Sequence, residues 1–168
     1  MLIAVPATLA ICLVFEDKVG GFAIINGRSM QPTLNPSKDD DSYSKDIILT
    51  NKINVRRAKF TRGSIVVLKS PLDPKRLLIK RLVAIDGDLI RTEENSLIEI
   101  PQGNCWVEGD NGSNSIDSHR FGAIPLALIV AEATYIIWPF TRISKLVKQP
   151  SRSKVVYKEE SKFCKNND

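Results

Sequence analysis

Ser29 lies in the stretch NGRSMQPTLNP, after a strand-like apolar run and ahead of Pro32 and Pro36. Each proline fixes φ near −65° and denies helix continuation, so the serine belongs to a rigid, extended or turning segment. A serine hydroxyl becomes a nucleophile only when a base takes its proton. GRSMQ lacks the second glycine of a nucleophile elbow, and Pro32 stands where an SxxK motif carries its lysine. The chain has one histidine, His119, and the other base open to a serine is an uncharged lysine. An unperturbed lysine titrates near 10.4, so working near neutral pH needs a fall of roughly 3 units, about 4 kcal/mol. Burial among apolar side chains is the direct way to achieve it.

RLLIKRLVAI offers such a place. Lys80 interrupts an otherwise apolar strand and shares a face, at period two, with Leu78, Leu82 and Ala84. Arg81 falls opposite, with Ile79, Val83 and Ile85. A third cluster, WVEGDNGSNSIDSHRFGAIP, packs Gly, Asp, Asn and Ser between two apolar runs, which suits a loop bonded to itself. On residue types alone each segment keeps two readings. Ser29 is a nucleophile or an ordinary loop serine. Lys80 is a buried base or an edge lysine that snorkels to water. The third cluster is a plain turn, or Ser115 and Asp117 order the groups around a catalytic lysine.

The elements that must position these residues read mostly as strands. FAII (22–25), DIILT (46–50), SIVVLKS (64–70), RLLIKRLVAI (76–85), LIRT (89–92), LIEI (97–100), CWVEG (105–109) and ALIVAEATYIIW (127–138) are short runs rich in Ile, Val and Leu. Turn chemistry separates them: NPSKDDD, SPLDP, DGD, EENS, PQG and GDNGSNS. The expectation is a mainly β, compact antiparallel domain over 19–148, not a doubly wound α/β one. Residues 36–45 read as an exposed acidic loop.

The start, MLIAVPATLAICLVF, carries no charge over fifteen residues. As a helix it would reach roughly 22 Å, short of a hydrocarbon core of roughly 30 Å. No basic region precedes it, as a cleaved signal peptide would require. It reads as a short membrane-anchor helix (1–18), as a core segment, or as an anchor whose upstream part lies outside this chain; the anchor is the favoured expectation. Charge is uneven: residues 1–141 are net neutral and 142–168 carry the whole net +5. The segment 149–168 lacks sustained periodicity and is expected to be a disordered basic tail, with anionic lipid or an acidic partner as its natural neighbours. Basic residues interleaved with aromatics on the body are missing, which argues against nucleic acid as a partner. A single histidine and three scattered cysteines (12, 105 and 164) leave no two-histidine zinc helix and no CxxC pair.

Taken in order, SMQPTL (29–34), KRLVAIDGD (80–88) and GDNGSNSIDSHRFG (109–122) resemble three signature boxes of the type I signal peptidases, with similar spacing over about 24–138. The uncharged start, LTNKINVRRAKFTRGSIVVLKSPLDP and the closing TYIIWP resemble the mitochondrial branch of that family. The resemblance implies a signal-peptidase-like β domain and a membrane-bound serine endopeptidase with a Ser–Lys dyad, removing sorting peptides from preproteins by way of an acyl-enzyme. It implies the mitochondrial inner membrane with the catalytic domain facing the intermembrane space, a sister catalytic subunit as partner, and no metal or cofactor. Position by position, Ser29 matches the nucleophile, Lys80 the general base, Ser115 the serine that hydrogen-bonds the lysine, and Asp117 the acid supporting that loop. Met30, Arg81, Gly109, Asp110 and Asn111 match supporting positions of the same boxes. The backbone N–H of Ser29 would hold the oxyanion; relatives add a hydroxyl two residues earlier, where this chain has Gly27, so a second donor is expected elsewhere.

Departures from the pattern are local. The last box reads Asp117-Ser118-His119-Arg120 rather than Asp-Ser-Arg, and a strand entry usually written Gly-Asp is Gly63-Ser64. Rival readings are a catalytically silent tethered subunit, a self-cleaving Ser–Lys protein and a lipid-binding module.

Overall fold

The computed structural model describes residues 18–36, 45–92, 95–150 and 153–156. Two antiparallel sheets carry the chain. The larger contains β1 (Gly20–Ile24), β2 (Ile47–Asn51), β3 (Ile65–Lys69), β4 (Leu77–Ile85), β7 (Asn104–Glu108), β8 (Ile124–Pro125), β9 (Ile129–Trp138) and β10 (Ser144–Lys145). Its order is β1-β2-β9-β3-β4-β7-β8, with β10 added to β9. The smaller pairs β11 (Lys154–Val156) with β5 (Leu89–Arg91) and β5 with β6 (Leu97–Glu99). Two one-turn helices, α1 (Ile53–Arg56) and α2 (Ser118–Phe121), fill connections.

Burial explains the sequence pattern of the central strands. In β3, Ile65, Val66, Val67 and Leu68 are all buried. Alternate residues point to opposite faces, so a strand covered on both sides reads as a continuous apolar run. Ile65 and Val67 join one core with Ile25, Met30, Leu34, Ile48 and Ile136. Val66 and Leu68 join another with Leu82, Val107, Ile124 and Ile129. Trp106, Val83, Ile90 and Ile100 form a third core, where the small sheet meets the large one.

All eight sequence-read strands are present, with ends moved by one or two residues. The antiparallel β class is as expected, whereas the apolar anchor helix lies outside the described residues. Among the described residues no helix is long and apolar enough to cross a membrane. β11 arises in a stretch with no strand signal of its own: its backbone pairs Lys154 with Arg91 and Val156 with Leu89, and Val155 packs on the third core. Three residues are too few for a periodic signal, and the partner strand supplies what the local sequence does not.

Two strand edges flank the connection that carries Ser29. Among the described residues β1 pairs only with β2. β4 pairs with β3 over 77–81, but its pairing with β7 begins at Arg81, so among the described residues 77–80 have a strand neighbour on one side only.

Candidate active site

Ser29 sits on the connection between β1 and β2, and the described part of that connection is held from three directions. Asn35, buried and at φ 50°, donates from Nδ2 to the Ile25 carbonyl at 2.9 Å and from its N–H to Asp46 Oδ2 at 2.8 Å. The Asp46 N–H returns a bond to Asn35 Oδ1 at 2.8 Å. Asparagine tolerates this left-handed backbone better than most side chains. Arg142 closes the lock, pairing with the Asp46 carboxylate and donating to the Thr33 carbonyl at 3.1 Å. Met30 and Leu34 anchor the segment in the first core. From the third side, the Asn111 N–H donates to the Ser29 carbonyl at 3.0 Å and Asn111 Nδ2 to that of Arg28 at 3.1 Å.

Lys80, in β4, meets this segment. Its Nζ donates to Ser29 Oγ at 2.8 Å, and the residue is 3 % exposed. Burial pushes its pKa down from 10.5 to about 8, working against the carboxylates of Asp117 and Asp110, which raise it. Desolvation outweighs attraction, the condition that makes a lysine amine available as a base. Once uncharged, Nζ accepts the Ser29 O–H proton along the same 2.8 Å line.

Arg81, the next residue, is the largest fully buried side chain among the described residues. Its guanidinium forks onto Asp110 at 2.8 and 2.6 Å and donates to the Gly63 carbonyl at 2.6 Å. Thr33 Oγ1 donates to the same Asp110. β4, the serine segment and the loop after β7 are thus tied together by one carboxylate. Arg81→Met is expected to cost about 3–5 kcal/mol, because it strands Asp110 beside a buried space. Urea unfolding checks it; a loss under about 1 kcal/mol would refute the tie.

The loop after β7 is closed at its base. Asp117 accepts from the Gly109 N–H at 2.9 Å and caps α2 by accepting from the His119 N–H at 3.2 Å. Gly109 permits close packing: a Cβ there would lie 2.5 Å from the Ser29 carbonyl oxygen and 2.7 Å from Ser115 Cβ. One expectation fails here. Ser115 does not bond Lys80; its Oγ is buried with no hydrogen-bond partner among the described residues. The ammonium is taken up with Ser29, and the Ser115 side chain is lodged against Gly109.

Ser64, at the altered strand entry, donates to Glu132 Oε1 at 2.8 Å, so β9 supplies the carboxylate that position 64 lacks. His119 Nε2 lies 3.1 Å from Glu108 Oε1, which also accepts from Trp106 Nε1 at 2.9 Å. Asn35, Asp46, Thr33 and Arg142 escape a reading of the sequence. Their only signal is polarity; Arg142 lies 96 positions from its carboxylate.

A groove of about 450 Å³ opens beside Ser29. Ala23–Ile25 of the β1 edge form one wall and Leu77–Lys80 of the β4 edge the other. Among the described residues no group of acidic, histidine or cysteine side chains is disposed to hold a metal ion.

Comparison with known proteins adds the lineage. The family model for signal peptidase, peptidase S26, matches residues 1–99 and 92–138. The chain belongs to that family. It is 42 % identical to mitochondrial inner membrane protease subunit 2 of Mus musculus over 146 residues, 86 % of this chain and 79 % of the relative. With the subunit 2 of Schizosaccharomyces pombe it shares 33 % over 159 residues, 93 % and 86 % of the two chains. Subunit 1 of Mus musculus is 35 % identical over 140 residues, 80 % of each. This S26 member is therefore a peptidase by family, and its relatives carry the mitochondrial inner membrane in their names. That membrane is its location.

Proposed function

We propose that this S26 member is a membrane-bound serine endopeptidase that removes sorting peptides from preproteins delivered to the mitochondrial intermembrane space. The reading rests above all on the 2.8 Å contact between Lys80 Nζ and Ser29 Oγ at the mouth of a groove, with the amine pushed to about 8. Neutral Lys80 takes the Ser29 proton as Oγ attacks the scissile carbonyl. The Ser29 N–H, which makes no hydrogen bond among the described residues, is free to receive the oxyanion. Lys80 passes its proton to the leaving amine, leaving an acyl-enzyme, and then activates the water that hydrolyses it. An extended preprotein would lie between the two strand edges, bonded through its main chain.

In this reading residues 1–18 anchor the 19–148 domain, which faces the intermembrane space, and the basic 149–168 segment, expected as a disordered tail, returns to that domain at 154–156 as β11. Because the relatives are named as subunits, the partner proposed is a sister catalytic subunit. The test is processing of an intermembrane-space preprotein by wild type and Ser29→Ala at equal abundance beside that partner. Wild type cleaves and the variant does not; equal processing would move the chemistry to another subunit and leave this chain a tethered scaffold.

A pH dependence follows from the Lys80 direction. The working form is the deprotonated one, so kcat/KM should climb about tenfold per pH unit below 8 and level off above it. A profile flat from pH 6 to 8 would exclude Lys80 as the base.

A further inference from the structure

We propose that the groove beside Ser29 favours preproteins with an acidic side chain four or five residues before the scissile bond, read by Arg76. The proposal rests on the peptidase reading above and names a feature of its substrates. Among the described residues the groove's charged lining is Arg28, Arg76 and Lys80, with no carboxylate. Lys80 must be uncharged to act, so the charge a bound peptide meets during catalysis is that of the two arginines. Both are exposed, at the groove's rim. Arg76 makes no side-chain hydrogen bond or ion pair among the described residues, so its guanidinium is available to an incoming carboxylate.

Position along the groove follows from strand geometry. Arg76 directly precedes β4, four residues before Lys80. At about 3.3 Å per residue that is roughly 13 Å, the span of four residues of an extended peptide on the same edge. A peptide with its scissile carbonyl at Ser29 therefore carries its fourth or fifth residue past Arg76. The proposal places the acyl side of the peptide on this wall, so the preference falls before the bond. Ile24, Leu77 and Ile116 form an exposed apolar rim to the same groove, so the arginine stands out as a charge on an apolar track.

The experiment uses the full chain with its sister subunit in neutral detergent at low salt. Peptides spanning a cleaved site carry Glu, Gln or Lys at each of the six positions before the bond. The readout is the Glu-to-Lys ratio of kcat/KM within one enzyme preparation, which cancels any difference in folded fraction. Expected is a ratio of about five at the fourth or fifth position, the scale of an exposed charge pair reversed. It should invert in Arg76→Glu, persist in Arg76→Lys and shrink at high salt. A ratio near one in wild type, or one unmoved by Arg76→Glu, overturns the proposal. So does an Arg76→Glu effect equal on all peptides and seen only with anionic lipid vesicles, which would make Arg76 a headgroup contact. If wild type cleaves none of the peptides, the peptidase reading itself fails first.

Discussion

Lys80→Met should lose at least about a thousandfold in processing rate and at the same time make the protein harder to unfold. The activity loss follows from removing the base: methionine fills a similar volume but takes no proton from Ser29, and a member of a catalytic unit typically carries several kcal/mol of barrier lowering. The stability gain follows from the amine's direction of shift. Folding lowers the lysine pKa from 10.5 to about 8. Between those values the unfolded chain binds the proton more fully than the folded one, so stability rises with pH across the window. Below about pH 8 the whole cost of burying the ammonium is present, about 3 kcal/mol for a 2.5-unit shift. That cost is already net of the attraction to Asp117 and Asp110; the methionine side chain would escape it but forfeit the hydrogen bond to Ser29, leaving a gain of roughly 2 kcal/mol at pH 7. Urea unfolding of both chains from pH 7 to 10.5 checks it. The wild-type curve should rise toward the variant's as pH increases. A variant less stable than wild type at pH 7 would mean that the ammonium is held by its carboxylates rather than strained by burial.

How much of this is legible in the sequence divides along the range of the interactions. The strands are legible because their signal is local: runs of Ile, Val and Leu between Gly, Pro, Asn and Asp turns. The two central chemical residues, Ser29 ahead of Pro32 and Pro36 and Lys80 on the face of Leu78, Leu82 and Ala84, keep two readings each until the order and spacing of the three boxes join them. Ser115 shows the limit. Its place in a box implies a bond to Lys80, yet the direction of a single hydroxyl depends on how closely Gly109 lets two loops approach. The lock of Asn35, Asp46 and Arg142 is illegible for another reason. It joins residues far apart in sequence, and nothing in DIILT or FTRIS marks a carboxylate and a guanidinium that will meet. β11 leaves no trace in the sequence because a three-residue strand exists only by virtue of β5.

Gly109→Ala tests the claim that closeness of loops, and not only the Ser29–Lys80 contact, makes the site. The added methyl would lie 2.5 Å from the Ser29 carbonyl oxygen and 2.7 Å from Ser115 Cβ. One neighbour is backbone and the other is the root of a buried side chain, so neither gives way by a rotamer change alone. The serine segment and the loop after β7 must separate, breaking the 3.0 Å bond from the Asn111 N–H that steadies Ser29. Displacing a reacting group by about 1 Å costs on the order of a hundredfold in rate, while the overpacking itself costs about 1–3 kcal/mol. The expected result is kcat down by about a hundredfold in a chain that still folds cooperatively. Gly87→Ala separates this from a general cost of losing glycine. Gly87 has φ 78° and open space around a Cβ, so alanine there is strained but meets no neighbour. It should lose about 1 kcal/mol of stability and keep its activity. If the two variants lose activity equally, the site does not depend on the approach that Gly109 allows, and the pinning of Ser29 must come from the Asn35–Asp46–Arg142 side alone.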